Sequence, residues 1–312
     1  MTKQIKLANP RGFCAGVDRA IDIVNKALDI YGAPVYVKHE VVHNKVVVAD
    51  LRDRGAIFVE KIDEIPDDSL VIFSAHGVSS AVEEETKSRN LNFFDATCPL
   101  VTKVHMEVRK HAKASKDIIL VGHEGHPEVE GTMGRHINSD NSSIYLVQNE
   151  LDAKNIKINN PTKLALVTQT TLSVDETKSI IDILKYRFPD IDIPKKDDIC
   201  YATQNRQDAV KQLALESDFM IVVGSKNSSN SNRLSELAEK CGCRSILIDE
   251  FTDIDLDDLN KYSKISITAG ASAPESKVME IAKSLELYTD AEIIEHGEDN
   301  EDIYFKLPPG LR

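Results

Sequence analysis

The chain has 312 residues, 41% of them hydrophobic and 29% charged, with a formal net charge of −13. Such a balance belongs to a soluble globular protein with room for two or three α/β units, and no apolar run approaches a membrane span. The acidic excess excludes general nucleic-acid or anionic-membrane binding, though not a small anion held in a local pocket.

The N-terminal stretch MTKQIKLANPRGFC has no long apolar core and no Arg/Ser-rich leader, so it reads as a cytosolic start. IKLANPRGFC carries a short strand toward Cys14. From there Val17, Ile21, Val24 and Leu28 form one helical stripe, stopped by Gly32. The strand APVYVKHEVVHN runs into a polar turn holding His43. KVVVADL and LVIFSAHGV have the length of buried strands, GAIFVE is a further strand, and LVIFSAHGVSS ends in a turn holding His76. NFFDATC then leads to Cys98.

The second helix carries the stripe Leu100, Val101, Val104 and Val108, with Pro99 suited to its first turn. DIILVGHEGHPEVEG, SIYLVQ and LALVTQTTLS follow as strands, the first and third ending in turns that hold His126 and Thr170. IPKKDDIC supplies a short strand to Cys200. The third helix buries Ala209, Val210, Leu213 and Ala214. DFMIVVGSKNSSNS, SILIDE and ISITAGASAP follow, bringing Ser228, Ser229, Asn230 and Ser272 to strand ends.

The offsets recur. His43, His126 and Ser228 lie 29, 28 and 28 residues after their cysteines, and His76, Thr170 and Ser272 lie 62, 72 and 72 after them. Alternation of strands and helices is common to any α/β chain. Matching offsets of cysteine and turns are not, and they predict three similar parallel-sheet α/β units in a pseudo-threefold arrangement. Their bounds are 14–97, 98–199 and 200–312, the last completed by 1–13. Turns at the carboxyl ends of parallel strands carry function, so three thiols and six polar turns are expected at one central cavity.

Each of these cysteines opens a helix, where the backbone N–H groups favour a thiolate. Three thiolates with no fourth cysteine nearby point to a metal centre with an open position. Zinc with three cysteines and a water fits, and so does a four-iron cluster held at three corners. Spacing leaves both open. The turn residues His43, His76, His126, Thr170, Ser228, Ser229, Asn230 and Ser272 are a donor set for phosphate or diphosphate. No G-x-x-x-x-G-K-[ST] and no G-x-G-x-x-G follows a strand, so ordinary nucleotide cradles are absent.

GHEGHPEVEGTMG invites a metal reading through His123, Glu124, His126 and Glu128, but its H-x-x-H lies in a strand-end turn rather than in a helical H-E-x-x-H. A carboxylate beside an imidazole, delivering protons, is the better reading. Glu128 and Glu130 do not share a face, and spacing does not choose between them. His105 and His111 are expected to be structural, His136 and His296 surface residues, and Cys241 and Cys243 turn residues after a helix that ends at Gly242.

Nine ordered motifs add a resemblance. LANPRGFCAGVDRAI, HEVVHN, FSAHGVS, DATCPLVTKVH, GHPEVEGTMG, TQTTLSVD, KDDICYATQNRQ, GSKNSSNSNRL and TAGASAP together resemble the hydroxymethylbutenyl diphosphate reductase family, iron–sulfur enzymes that end the non-mevalonate isoprenoid pathway. The likeness runs from about Lys6 to Pro274. It implies three α/β domains arranged like a trefoil around a [4Fe–4S] cluster held by Cys14, Cys98 and Cys200. By the same likeness His43, His76, His126, Ser228, Ser229, Asn230 and Ser272 bind the diphosphate, and Glu128 delivers protons with Thr170 and His126.

The implied reaction is reductive dehydroxylation of (E)-4-hydroxy-3-methylbut-2-enyl diphosphate to isopentenyl and dimethylallyl diphosphate. A flavodoxin or ferredoxin would supply electrons, with no nucleic-acid or membrane partner and a cytoplasmic, bacterial-type location. The rival from the residues alone is a three-cysteine zinc hydrolase acting on a small phosphorylated substrate.

Overall fold

The structure, a computed structural model, describes residues 4–136, 141–194, 198–298 and 301–312. In chain order the elements begin β1 (Gln4–Ala8), α1 (Ala15–Tyr31), β2 (Val35–Lys38), α2 (Lys45–Asp53), β3 (Ala56–Val59), β4 (Leu70–Phe73), α3 (Ser80–Ser88) and β5 (Asn92–Asp95). They continue with α4 (Pro99–Lys113), β6 (Asp117–Val121), α5 (Pro127–Met133), β7 (Ile144–Val147), α6 (Glu150–Asn155), β8 (Leu164–Thr168) and α7 (Val174–Arg187). The last are α8 (Tyr201–Ala214), β9 (Phe219–Val223), α9 (Ser229–Lys240), β10 (Arg244–Ile248), α10 (Leu256–Leu259), β11 (Ile265–Ala269), α11 (Glu275–Thr289) and β12 (Glu292–His296).

The strands form three sheets, ordered β10-β9-β11-β1-β12, β3-β2-β4-β5 and β7-β6-β8. Neighbours in all three run parallel. The fold is therefore α/β with three parallel sheets. The N-terminal strand β1 lies between β11 and β12, with Ile5 opposite Ile265 and Ile293.

By packing, the chain divides into two lobes. The first holds the segment ending at Val17, His43–Ala49 and Tyr201–Tyr304; the second holds Asp18–Val42, Asp50–Cys200 and Phe305–Arg312. In the first lobe β9 and β11 are buried along their whole length. Met220 and Val222 pack on Val210, Leu213 and Leu234 from α8 and α9, while Ile221 and Ile267 pack on Val278, Ile281 and Leu285 from α11. Such two-sided cover explains why these strands read as continuous apolar runs. In the second lobe β6 is covered in the same way. Ile118 and Leu120 meet Val104 and Val108 of α4, while Ile119 and Val121 meet Ile180 and Leu184 of α7.

Three readings of the sequence are corrected here. KVVVADL is the start of helix α2, not a strand. Asn44 begins it by accepting the Val47 N–H on its Oδ1 at 3.1 Å and the Val48 N–H on its carbonyl at 3.0 Å, and this N-cap overrides the β-branched run. On α1 the buried face is Ala20, Ile23, Val24, Ala27 and Leu28, while Val17 and Ile21 are only half-buried. Within IPKKDDIC, residues 195–197 lie outside the described residues, and the remainder forms no strand. The pairing nearest to it is a single bridge from Asp192 to Ala165. The closing strand β12 was not foreseen.

Candidate functional site

In the second lobe the turns after β6 and β8 meet. His126 caps α5, its Nδ1 accepting the Glu128 N–H at 3.1 Å, so the proton of the neutral ring sits on Nε2. Pro127 suits the first helical position, and the turn it starts sends Glu128 inward and Glu130 to solvent. Glu128 is 2% exposed. Its carboxyl oxygens accept the Thr170 N–H at 2.6 Å and the Thr170 Oγ1 hydroxyl at 3.0 Å.

Burial pushes the Glu128 carboxyl up to about 7, opposed by both Thr170 bonds and assisted by the charge of Asp198. A carboxyl near neutrality is half-loaded with a proton at working pH, which suits a general acid. The Thr170 carbonyl in turn accepts the Cys200 N–H at 3.1 Å. One residue thus braces both the acid and a cysteine. The His76 ring stands edge-on to His126, with centroids 5.7 Å apart.

Cys98 caps α4 with Pro99 behind it, and its N–H donates to the Ala75 carbonyl at 3.0 Å. Ala75 belongs to the turn that carries His76. That turn has one permitted shape at Gly77, whose φ is +79° and where a Cβ would meet His105 Cε1 at 2.5 Å. His105 is buried, as its structural reading required, and burial beside Arg135 and Arg109 lowers its pKa to about 3.

In the first lobe a second constellation gathers where β9 and β11 end. Ser228 caps α9 and accepts the Ser231 N–H at 3.3 Å and the Ser231 hydroxyl at 3.0 Å. Asn230 Oδ1 accepts the Ala271 N–H at 2.9 Å, and its Nδ2 reaches Thr203 Oγ1 at 3.3 Å. The Ser272 hydroxyl donates to the His43 carbonyl at 2.9 Å, with Ser228 Oγ 3.4 Å away. Ser229 is the half-buried first residue of α9. Room for these groups comes from Gly270, where a Cβ would lie 2.0 Å from Ser231 Oγ. A set of neutral donors at a helix N-terminus suits a many-oxygened anion.

Cys14 immediately precedes α1. Burial raises its thiol pKa, while Arg206 and the backbone N–H groups of Val17 and Gly16 act in the opposite direction. The Tyr201 hydroxyl accepts the Ala15 N–H at 3.3 Å.

Cys14, Cys98 and Cys200 form no disulfide, and each is the residue before a helix. Backbone donors at a helix start, joined at Cys14 by the Arg206 guanidinium, are the surroundings that a thiolate ligand of an iron–sulfur cluster needs. Cys243 is buried behind α9 and Cys241 caps that helix, as turn residues would. Among the described residues no three His, Cys, Asp or Glu side chains group tightly enough to hold a single metal ion.

Four contributors escaped sequence reasoning. Asp198, in the second lobe, accepts the Thr168 N–H at 3.1 Å and pairs with Lys103 at 3.1 Å, and burial raises its pKa. Gln169 Oε1 accepts the His123 N–H at 3.1 Å. The other two, Arg206 and Glu301, pair in the first lobe at 2.9 Å. Gln169 lies inside TQTTLSVD, and Asp198 and Arg206 lie inside KDDICYATQNRQ, whereas Glu301 falls outside all nine motifs.

Residues 5–286 match the protein-family model described as LytB protein. The chain belongs to the LytB family. Among its relatives is a 4-hydroxy-3-methylbut-2-enyl diphosphate reductase of Marinobacter nauticus, 59% identical over 99% of this chain and 98% of that protein. One from Pseudomonas putida is 60% identical with the same coverage. Of solved structures, the E-1-hydroxy-2-methyl-but-2-enyl-4-diphosphate reductase of Plasmodium falciparum is 37% identical with a TM-score of 0.92, over 99% of this chain and 96% of that one. A second solved structure, of an (E)-4-hydroxy-3-methyl-but-2-enyl diphosphate reductase, is 28% identical with a TM-score of 0.64, over 91% of this chain and 99% of that one. No helix among the described residues is long and apolar enough to cross a membrane.

Proposed function

We propose that this LytB family member reduces (E)-4-hydroxy-3-methylbut-2-enyl diphosphate to isopentenyl and dimethylallyl diphosphate. The observation that carries the chemistry is the buried Glu128, tied by two hydrogen bonds to Thr170, whose carbonyl braces Cys200. A proton donor is thereby fixed to the same residue as a metal-ligand candidate. Cys14, Cys98 and Cys200 would hold a [4Fe–4S] cluster, which when bound would supply electrons one at a time and Lewis acidity.

The protein's own part is binding and proton control. His43, His76, His126, Ser228, Ser229, Asn230 and Ser272 hold the diphosphate with neutral donors and helix N-terminal N–H groups. Thr170 fixes the Glu128 carboxyl, and His126 orders the turn that delivers it. Glu128 protonates the departing hydroxyl, which leaves as water. The balance is two electrons and two protons per substrate: one C–O bond breaks, one C–H bond forms at either end of the allyl group, and one water is released. The bound diphosphate is the source of the second proton.

A flavodoxin or ferredoxin is the electron donor, and the cytoplasm the compartment. The three sheets support reading the chain as three related α/β units bounded at 97/98 and 199/200, with 1–13 completing the third.

The decisive experiment is iron and acid-labile sulfide analysis of anaerobically purified protein, with absorption spectra before and after substrate. About four irons and four sulfides per chain, with a spectrum perturbed by substrate, is the expected result. Zinc without sulfide, in protein never exposed to air, would transfer the assignment to a hydrolase.

A further inference from the structure

Arg206 heads the fully buried side chains by size, with 0% exposure, and the chemistry above leaves it unused. Its guanidinium is saturated. Nε and Nη2 donate to the Gly12 carbonyl at 3.1 and 2.8 Å, Nη2 also to the Phe13 carbonyl at 3.2 Å, and Nη1 to the Ala202 carbonyl at 3.0 Å. Glu301 closes the fork, its Oε1 lying 2.9 Å from Nη1 and its Oε2 3.1 and 3.2 Å from Nη1 and Nη2. Asn205 Nδ2 adds a bond to Glu301 Oε1 at 3.0 Å.

Gly12 and Phe13 are the two residues that lead to Cys14. The turn they make has little freedom: Gly12 has φ +66°, and a Cβ there would stand 3.1 Å from the Ala273 carbonyl. An arginine gripping both carbonyls sets the position of the next residue. A bidentate ion pair out of solvent is costly to build and is strongly destabilised when one partner is lost. Its charges also reach the neighbouring sulfur, the guanidinium favouring a thiolate and the carboxylate opposing it.

We propose that the buried Arg206–Glu301 pair positions Cys14 as a cluster ligand and that its two opposite charges tune the reduction potential of the cluster held there. The inference rests on the reading of Cys14 as an iron ligand. Arg206 and Glu301 are positioning residues, acting through Cys14 rather than on substrate. Cluster potentials follow the net charge around them, so the two members of the pair act with opposite sign.

The test is a redox titration of anaerobically purified holoenzyme, followed by electron paramagnetic resonance, with iron content measured in parallel. Glu301→Gln keeps the shape and an acceptor for Asn205 while removing the negative charge. It is expected to raise the ratio of reduced to oxidised cluster at a fixed solution potential by at least threefold. Arg206→Gln is expected to lower that ratio, and the double variant to return near wild type. A purely structural pair would lower iron content in both variants without opposite shifts, and that result overturns the proposal. If Arg206→Gln does not accumulate as folded protein, Glu301→Gln decides alone, and an unchanged ratio overturns the proposal. Wild-type protein that carries no iron would instead overturn the underlying reading of Cys14.

Discussion

The two polar constellations are built on opposite principles. Around Glu128 a single ionisable group is withdrawn from water, and its proton affinity is set by burial against two hydrogen bonds from one partner. Around Ser228 the donors are neutral and several, each satisfied by its neighbours. Charge in a low-dielectric setting concentrates leverage in one side chain, because an ionised group there has few ways to be compensated. Neutral donors spread it, since each is worth only about 1 kcal/mol net. Substitutions in the first region should therefore act on turnover, steeply and with pH, and those in the second on affinity and shallowly.

The largest effect is expected from Glu128→Gln. Amide for carboxyl keeps the shape and the bond to the Thr170 N–H but removes the transferable proton, so kcat should fall by about 10²–10⁴. Substrate affinity and iron content should stay near wild type. Near-normal turnover would remove Glu128 from the role of acid.

The same group links to stability. With its carboxyl raised from 4.5 to about 7, the folded chain binds more protons than the unfolded chain between those values. Its contribution is therefore fully present below about pH 4.5 and is lost as pH rises through 7. The glutamine variant should lack that slope, which is of order 3 kcal/mol in full. Thermal melts of both proteins from pH 5 to pH 8 measure it, and parallel curves would contradict the assigned shift.

Much of this site was legible in the sequence because it depends on local order. A cysteine before a helical stripe and a polar turn after an apolar strand are written in consecutive residues, and their offsets repeat. Tertiary context erased other signals. KVVVADL has the composition of a strand, yet Asn44 starts a helix there. Glu128 and Glu130 are equivalent by pattern until Pro127 fixes the phase of α5, which buries one and exposes the other. Arg206 lies inside a recognised motif, but its partner Glu301 is 95 residues further on in a terminal segment, and no periodicity connects them.

A smaller effect is expected from Thr170→Val. It removes the hydroxyl bond to Glu128 but keeps the backbone N–H that supports the ionised carboxylate. The carboxyl pKa should rise above its wild-type value, so the high-pH limb of the kcat profile, where Glu128 loses its proton, should move upward. Turnover at neutral pH should fall by roughly tenfold, as loss of a hydrogen bond to a charged group costs about 1.5–3 kcal/mol. A high-pH limb that stays in place would mean that Thr170 does not tune the acid.

The smallest effect tests the neutral constellation. Ser272→Ala removes a donor to the His43 carbonyl, and Ser228→Ala removes the acceptor of the Ser231 hydroxyl. Each should raise KM for the diphosphate substrate by about three- to tenfold, near 1 kcal/mol, and leave kcat within twofold. Because the two hydroxyl oxygens lie 3.4 Å apart, they share surroundings and should couple. The double variant should therefore depart from the product of the single effects by a factor of two or more. Strict additivity would mean that the serines act as separate contacts, and a loss confined to kcat would place them with Glu128 in proton delivery instead of anion binding.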